Sequence, residues 1–125
     1  MVKRLAVLLW ATNPERPHLC ATPFVHAAAA AAMDVDVEIY FTSQSVLLLA
    51  RGVADHIYPG PTQRQSVYSF MQEALRHGAK FFACSMAMSE YGLSAENMIP
   101  EVAGVGGAAA FIGRCLDESW RTLTY

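Results

Sequence analysis

The chain opens with an apolar run, residues 4–11, in which only the first side chain is charged. A strand that is apolar throughout is typical of a parallel sheet whose two faces are both covered. The same residues resemble the apolar part of a secretory signal peptide. That interpretation fits less well, because the run is short for that role and residues 13–17 follow it without a convincing cleavage site. We therefore interpret residues 4–11 as the first buried strand of a sheet.

Further apolar runs follow at intervals, and segments with helical character separate them. The pattern predicts strands at residues 35–41, 79–84, 101–105 and 120–125, and helices at 19–33, 44–51, 63–77, 85–93 and 108–118. Strands separated by helices form βαβ units with parallel strands. We therefore expect one domain over residues 1–125, with an α/β fold: a three-layer α/β/α sandwich around a mostly parallel five-stranded sheet.

Composition restricts the compartment and the class of partner. Hydrophobic residues make up 54% of the chain and charged residues 16%, against about 45–50% and about 25% in typical domains. We expect a subunit interface to bury the surplus apolar surface.

The charge pattern and the cysteines restrict partners and compartment. A net charge of -2 without a basic stripe gives no support for nucleic-acid binding. Residues 17–33 carry no Asp, Glu, Lys or Arg, but their prolines and histidines make them a poor membrane span. Three cysteines without a CxxC pair favour free thiols in the cytoplasm.

Cys84 is the main candidate for chemistry. It follows the apolar segment 79–83 and precedes a short helical segment, so we expect it where a strand ends and a helix begins. Backbone N–H groups converge at such a junction and favour the thiolate, which is the nucleophilic form of a cysteine. The alternative is that Cys84 is only a small buried hydrophobic residue, as many free cysteines are.

Open parallel sheets bind ligands beyond the carboxyl ends of their strands. We expect residues 12–18, 84–88 and 104–107 to converge there. These segments supply the candidate ligand-binding residues Asn13, His18, Ser85, Met86, Gly106 and Gly107. Glu90 is close to Cys84 in sequence, but we expect the intervening helix to carry it away from the thiol.

Several of these candidates have a structural alternative. His18 would assist Cys84 as a base or supply positive charge, and Met86 would line a pocket or fill a gap in the core. Gly106 and Gly107 would either form an anion-accepting helix start or allow a tight turn and close helix–sheet packing. The sequence leaves these alternatives open.

We expect neither a metal nor a cofactor. His18 and Cys20 would supply soft-metal ligands together with Cys84, but two neighbouring residues and one distant residue are a weak pattern. Cys20 and Cys115 fall on predicted apolar helix faces and are interpreted as structural. Residues 104–107 lack the GxGxxG spacing of a dinucleotide site. Apart from Cys84, the chain offers no good catalytic candidate.

The segment Cys84-Ser-Met-Ala87-Met-Ser-Glu-Tyr-Gly92-Leu93 resembles the cysteine motif of the DsrE/DsrF-like sulfur-relay family. In that motif an apolar strand leads to Cys, with Ala or Ser three residues later and then Gly before an aliphatic residue. The likeness extends to residues 37–42, 52–53 and 102–105. The resemblance implies an α/β sandwich that assembles into trimers or hexamers. For sulfur-relay members it also implies a cysteine that carries sulfane sulfur as a persulfide, and by the motif only Cys84 takes that role.

Two functional hypotheses follow. The first is a cytoplasmic sulfur carrier or sulfurtransferase that takes sulfur from a donor protein on Cys84 and passes it to an acceptor protein. The second is a non-catalytic, small-ligand-binding or redox-sensing homo-oligomer that uses the same pocket at the strand ends. Alkylation rates distinguish the two hypotheses, because the thiol of a sulfur carrier reacts faster than a thiol that is buried in the wall of a ligand pocket.

Overall fold

A computed structural model describes residues 4–125, which form a five-stranded sheet with helices on both faces. The beginning of the predicted first strand lies within this range, whereas Met1 to Lys3 lie outside the described residues. The strands are β1 (Arg4–Leu9), β2 (Asp36–Phe41), β3 (Lys80–Ala83), β4 (Val102–Val105) and β5 (Arg121–Thr124). The α-helices are α1 (Thr22–Ala32), α2 (Val67–Arg76), α3 (Ser85–Glu90) and α4 (Ala108–Cys115). The α/β/α expectation is confirmed.

The strands are arranged in the order β4-β3-β2-β1-β5, and every neighbouring pair is parallel. The expected mostly parallel sheet is therefore entirely parallel. Phe41 at the end of β2 pairs with Ala83 at the end of β3, and Ala83 pairs with Val105 at the end of β4. Three neighbouring strands thus end at the same level, and the loops that follow them start side by side.

The two faces of the sheet are covered to different extents. Val7 and Leu9 of β1 belong to a large core that also contains Phe24 of α1 and Met71 of α2. On the opposite face a much smaller core contains Ala6, Tyr40, Phe111 and Trp120. Because side chains alternate along a strand, neighbouring residues of β1 enter different cores. The second face is covered mainly by α4, an element of eight residues.

The predicted helix over residues 19–33 is shorter in the structure. Pro17–Leu19 form a 3-10 turn, and α1 begins only at Thr22, with Pro23 in its first turn where a missing N–H costs least. The predicted helix over 63–77 begins at Val67, because the Ser66 hydroxyl accepts a 3.1 Å hydrogen bond from the amide of Ser69 and caps α2.

The predicted helix over 44–51 is a 3-10 helix, Ser43–Leu49. The buried hydroxyl of Ser45 donates to the carbonyl oxygens of Leu9 at 2.7 Å and Thr42 at 2.6 Å. Such side-chain bonds compete with regular α-helical pairing, and they tie this segment to the end of β1.

The last predicted helix, over 108–118, ends at Cys115. Asp117 accepts hydrogen bonds from the amide and hydroxyl of Ser119 at 2.9 and 2.7 Å, which forms the turn into β5. Among the described residues no helix has both the length and the apolar character needed to cross a membrane.

Candidate functional site

Cys84 lies at the junction of β3 and α3, where the sequence pattern predicts it. Its amide donates a 2.9 Å hydrogen bond to the carbonyl of Phe41, and its own carbonyl accepts one of 2.9 Å from the amide of Met88. Its backbone is still extended, with φ -71° and ψ 123°, so the residue is the N-cap of α3. Both backbone bonds fix the position from which the side chain projects.

The surroundings of the thiol favour its ionised form. Partial burial alone raises the pKa of Cys84. This effect is outweighed by the amides of Ala87 and Met86 and by the hydroxyl of Thr42, so the pKa of the thiol lies below its ordinary value. The amides of Ala87 and Met86 and the Thr42 hydroxyl thus act on the thiolate as hydrogen-bond donors.

Cys84 opens onto a cavity of about 630 Å³, called here the Cys84 cavity. Its polar and charged walls are Thr42, Ser43, Ser85 and Glu90. Its aliphatic and aromatic walls are Leu8, Tyr40, Met86, Ala87, Tyr91, Ala108, Phe111 and Ile112, with Gly106 and Gly107 completing it. The cavity lies on the α4 side of the sheet, at the ends of β2, β3 and β4.

Gly106 allows the sheet and the entry to α4 to approach closely. A Cβ atom at this position would lie 3.0 Å from Cε1 of Tyr40 and 3.2 Å from Cβ of Phe82. The Gly106 amide also donates a 2.9 Å hydrogen bond to the carbonyl of Ala83. At Gly107, by contrast, a Cβ would meet nothing within 4 Å. Close packing therefore accounts for the first glycine.

The α4 wall of the cavity is anchored by an ion pair to the sheet. Arg114 donates to Glu38 through Nε at 2.9 Å and through Nη2 at 3.2 Å, and its guanidinium lies 4.2 Å from the ring centre of Trp120. Glu38 also accepts a 2.7 Å hydrogen bond from the hydroxyl of Tyr40. This network holds the Tyr40 ring, which lines the cavity, in place.

The structure brings five of the seven predicted site residues together. Cys84, Ser85, Met86, Gly106 and Gly107 all line the Cys84 cavity. They meet because β3 and β4 are neighbours and their carboxyl ends lie at the same level. The anion-accepting role considered for the two glycines stays a prediction.

Asn13 and His18 do not line the cavity. They belong to the loop that leads into α1, which packs on the opposite face of the sheet. Asn13 stabilises this loop instead, since its Oδ1 accepts a 2.9 Å hydrogen bond from the amide of Glu15. His18 is exposed within the 3-10 turn. The structure therefore offers no geometric support for either as a partner of Cys84.

Sequence reasoning missed Glu90, Thr42 and Tyr40 as cavity residues. We expected the helix to carry Glu90 away from the thiol; in the structure Glu90 ends the six-residue α3 and is one of the residues that line the cavity. Thr42 directly follows β2, so the rule that placed Cys84 at a strand end also pointed to it.

The other two cysteines have different environments. Cys20 is fully buried, its Sγ lies 3.2 Å from the carbonyl oxygen of Asn13, and burial raises its pKa to about 11. Cys115 ends α4 and is exposed, which corrects the prediction that it packs on an apolar face. In residues 4–125 no group of three or more His, Cys, Asp or Glu side chains is arranged to hold a metal ion.

Comparisons with known proteins show what the chain is similar to. A model of the DsrE/DsrF-like family matches residues 6–125. No curated protein matches. Solved structures that resemble the chain include the YchN protein from E. coli, with 17% identity, full coverage of both chains and a TM-score of 0.76. A protein of unknown function from Methanobacterium thermoautotrophicum has 20% identity, 98% coverage of both chains and a TM-score of 0.68. Another, from Bacteroides thetaiotaomicron, has 16% identity, covers 98% of this chain and 95% of its own, and has a TM-score of 0.62. The TM-scores, all above 0.6, show that these proteins share the fold of this chain.

Proposed function

Because this chain belongs to the DsrE/DsrF-like family, we propose that it is a sulfur carrier or sulfurtransferase that holds sulfane sulfur as a persulfide on Cys84. The observation that carries the proposal is a thiol of lowered pKa that opens onto a cavity at the ends of three parallel strands. A thiolate is the nucleophile required to attack a persulfide.

The chemistry is an exchange without net oxidation. The Cys84 thiolate attacks the terminal sulfur of a donor R–S–SH, and a new S–S bond forms at Cys84 Sγ. The donor S–S bond breaks, its electron pair leaves with the thiolate R–S⁻, and the proton stays on the transferred sulfur. An acceptor thiolate then removes that sulfur from Cys84 by the same step.

Three features of the site support this exchange. The amides of Ala87 and Met86 and the Thr42 hydroxyl favour the attacking thiolate, and they would equally favour an ionised persulfide. Cys84 is only partly buried, so a donor can reach it. The backbone bond to Phe41 holds the thiol at a fixed strand end.

The proposal extends to the assembly and its partners. We propose a trimeric or hexameric homo-oligomer that works in the cytoplasm, where thiols stay reduced, between a sulfur donor protein and an acceptor protein. Large apolar side chains are exposed on the side of the sheet that α4 covers: Met86 at 81%, Ile112 at 52% and Leu116 at 81%. An interface between copies would bury such residues.

Intact-protein mass spectrometry after incubation with a persulfide donor tests the function. We expect one added sulfur per chain, lost on treatment with a reducing thiol and absent from Cys84→Ser. Cys115→Ser is the matched control, because it removes an exposed thiol outside the cavity and should retain the adduct. An unmodified wild-type protein, or an adduct that persists in Cys84→Ser, would refute the proposal.

A second candidate function is favoured by the apolar character of the Cys84 cavity. A non-catalytic or redox-sensing oligomer would bind a small ligand there, with Cys84 as a wall residue. Under this alternative the wild-type protein takes up no sulfur, and Cys84→Ala has no effect on ligand binding.

A further inference from the structure

We infer that the Cys84 cavity selects sulfur donors whose leaving thiol has an uncharged apolar body, such as an arylmethyl group, over inorganic and anionic donors. This inference rests on the proposed function and adds a class of small-molecule donor to the donor protein proposed above. Its first support is size. A volume of about 630 Å³ lies within the range of about 300–1,000 Å³ that is typical of sites for small organic molecules. A donor as small as thiosulfate would leave most of this volume to water.

The second support is the chemistry of the walls. The rings of Tyr40 and Phe111 line the cavity together and pack edge to face, with centroids 5.7 Å apart and an interplanar angle of 67°. Leu8 and Ile112 add aliphatic surface beside them. Apolar walls bind a ligand by removing its apolar surface from water, and they give nothing to an inorganic anion.

The aromatic wall is also rigid. Tyr40 is held by its hydrogen bond to Glu38 and stacks on Phe82 at 5.4 Å, and Gly106 leaves no free space against the same ring. A preformed wall binds a matching ligand without the cost of ordering flexible side chains.

The third support is charge. Among residues 4–125, Glu90 is the only charged residue that lines the cavity, and its side chain is exposed. Arg114, on the same helix as Phe111, is paired with Glu38 outside the cavity lining. An anionic donor would therefore be repelled by a carboxylate and by the Cys84 thiolate, because the described lining residues include no cation to offset them; a neutral donor would not be repelled.

The transfer itself is the exchange given above, with R as the apolar body. The thiolate of Cys84 takes the terminal sulfur, and R–S⁻ departs with the electron pair of the broken S–S bond. The departing thiolate is then protonated by solvent. No oxidant or reductant is needed, because the sulfane sulfur moves from one thiol sulfur to another at the same oxidation state.

A donor series tests the inference in the full chain. Benzyl hydropersulfide, cysteine hydropersulfide and 2-sulfonatoethyl hydropersulfide are each mixed with the protein, and persulfide formation on Cys84 is followed by mass spectrometry. Each rate is divided by the rate of the same donor with glutathione, which removes differences in intrinsic reactivity. We expect the normalised rate for the benzyl donor to exceed the sulfonate rate by about tenfold or more, as burial of much of a phenyl ring implies.

Two pairs of variants test whether residues of the Cys84 cavity cause the donor preference. Ile112→Ser should reduce the ratio of benzyl to cysteine rates, whereas Leu116→Ser, on the same side of α4 but outside the cavity, should leave the ratio unchanged. Glu90→Gln should raise the relative rate of the sulfonate donor, and Glu118→Gln serves as its exposed control.

The outcomes separate this inference from the function on which it rests. Equal normalised rates for the three donors would overturn the donor selectivity and leave the persulfide carrier intact. A preference that Ile112→Ser and Leu116→Ser reduce equally would also overturn it, because the cavity would not be its source. If no donor persulfidates Cys84, the proposed function itself is wrong.

Discussion

The amide of Cys84 donates a 2.9 Å hydrogen bond to the carbonyl of Phe41, the last residue of β2. This bond continues the pairing of β2 with β3 by one residue beyond the end of β3. It places the thiol beside Thr42, whose hydroxyl lowers the pKa of Cys84. Cys84 follows β3 and Thr42 follows the neighbouring strand β2. The backbone bond between Cys84 and Phe41 therefore holds the thiol next to the hydroxyl that lowers its pKa.

Cys84 and Cys20 should differ in the pH dependence of their alkylation. The pKa of Cys84 is lowered, so its rate should reach a plateau at a lower pH than the rate of a free thiol. Burial raises the pKa of Cys20 to about 11, so Cys20 should stay almost unreactive in the native protein below that pH. Peptide mapping after iodoacetamide treatment at a series of pH values measures each rate. Equal profiles for Cys84 and free cysteine would contradict the prediction.

Thr42→Val should slow the alkylation of Cys84 near neutral pH. Valine has a similar shape but lacks the hydroxyl, so the pKa of the thiol rises and less thiolate is present. We expect a rate reduction of roughly threefold or more at pH 7, because hydrogen bonds to charged groups are the stronger ones. Thr124→Val, an exposed position on β5, is the control. An unchanged pH profile in Thr42→Val would show that the hydroxyl does not act on the thiol.

Gly106→Ala should destabilise the fold more than Gly107→Ala does. The added methyl at position 106 would lie 3.0 Å from the Tyr40 ring and 3.2 Å from Phe82 Cβ, so these groups must move. Such overpacking costs about 1–3 kcal/mol. At position 107 a methyl meets nothing within 4 Å. Urea unfolding of both variants measures the difference, and equal free energies of unfolding would show that the tight contact carries no cost.

Arg114→Ala should reduce the free energy of unfolding by about 1–3 kcal/mol, because it leaves the mostly buried Glu38 carboxylate without its cation. It also removes the guanidinium from the face of Trp120. Arg76→Ala is the control, since Arg76 forms an exposed pair with Glu73 within α2. Exposed pairs contribute about 1 kcal/mol or less. If both variants lose the same free energy of unfolding in urea, the ion pair between Arg114 and Glu38 stabilises the fold no more than an exposed pair does.

The protein should behave as a trimer or hexamer in solution. Light scattering at micromolar concentration measures the mass directly. A stable monomer of 13.6 kDa would contradict the proposed assembly. Leu116→Asp, at an exposed apolar position, should shift the distribution towards smaller species if this surface lies in the interface. Asp117→Asn, an adjacent surface change, should leave the mass unchanged.

Local signals in the sequence were enough to predict the alternation of strands and helices and the position of Cys84. Residues 4–11 had the uniform apolar character of a strand covered on both faces, and the structure places Val7 and Ala6 in different cores. The motif around Cys84 also pointed to the family. Helix boundaries were less accurate, because hydrogen bonds such as those of Ser45 decide where regular pairing starts.

The sequence by itself thus determined the order of the elements and the residue at which β3 gives way to α3, because both depend on propensity and periodicity along the chain. The tertiary structure alone decided that the loop after β2, and not the loop after β1, shares the cavity with Cys84. His18 lies in the loop after β1 and Thr42 directly follows β2, yet of the two only Thr42 lines the cavity with Cys84. The reason is that α1 and α4 pack on opposite faces of the sheet. The face on which a helix packs depends on contacts between residues far apart in the chain, and no local pattern specifies them.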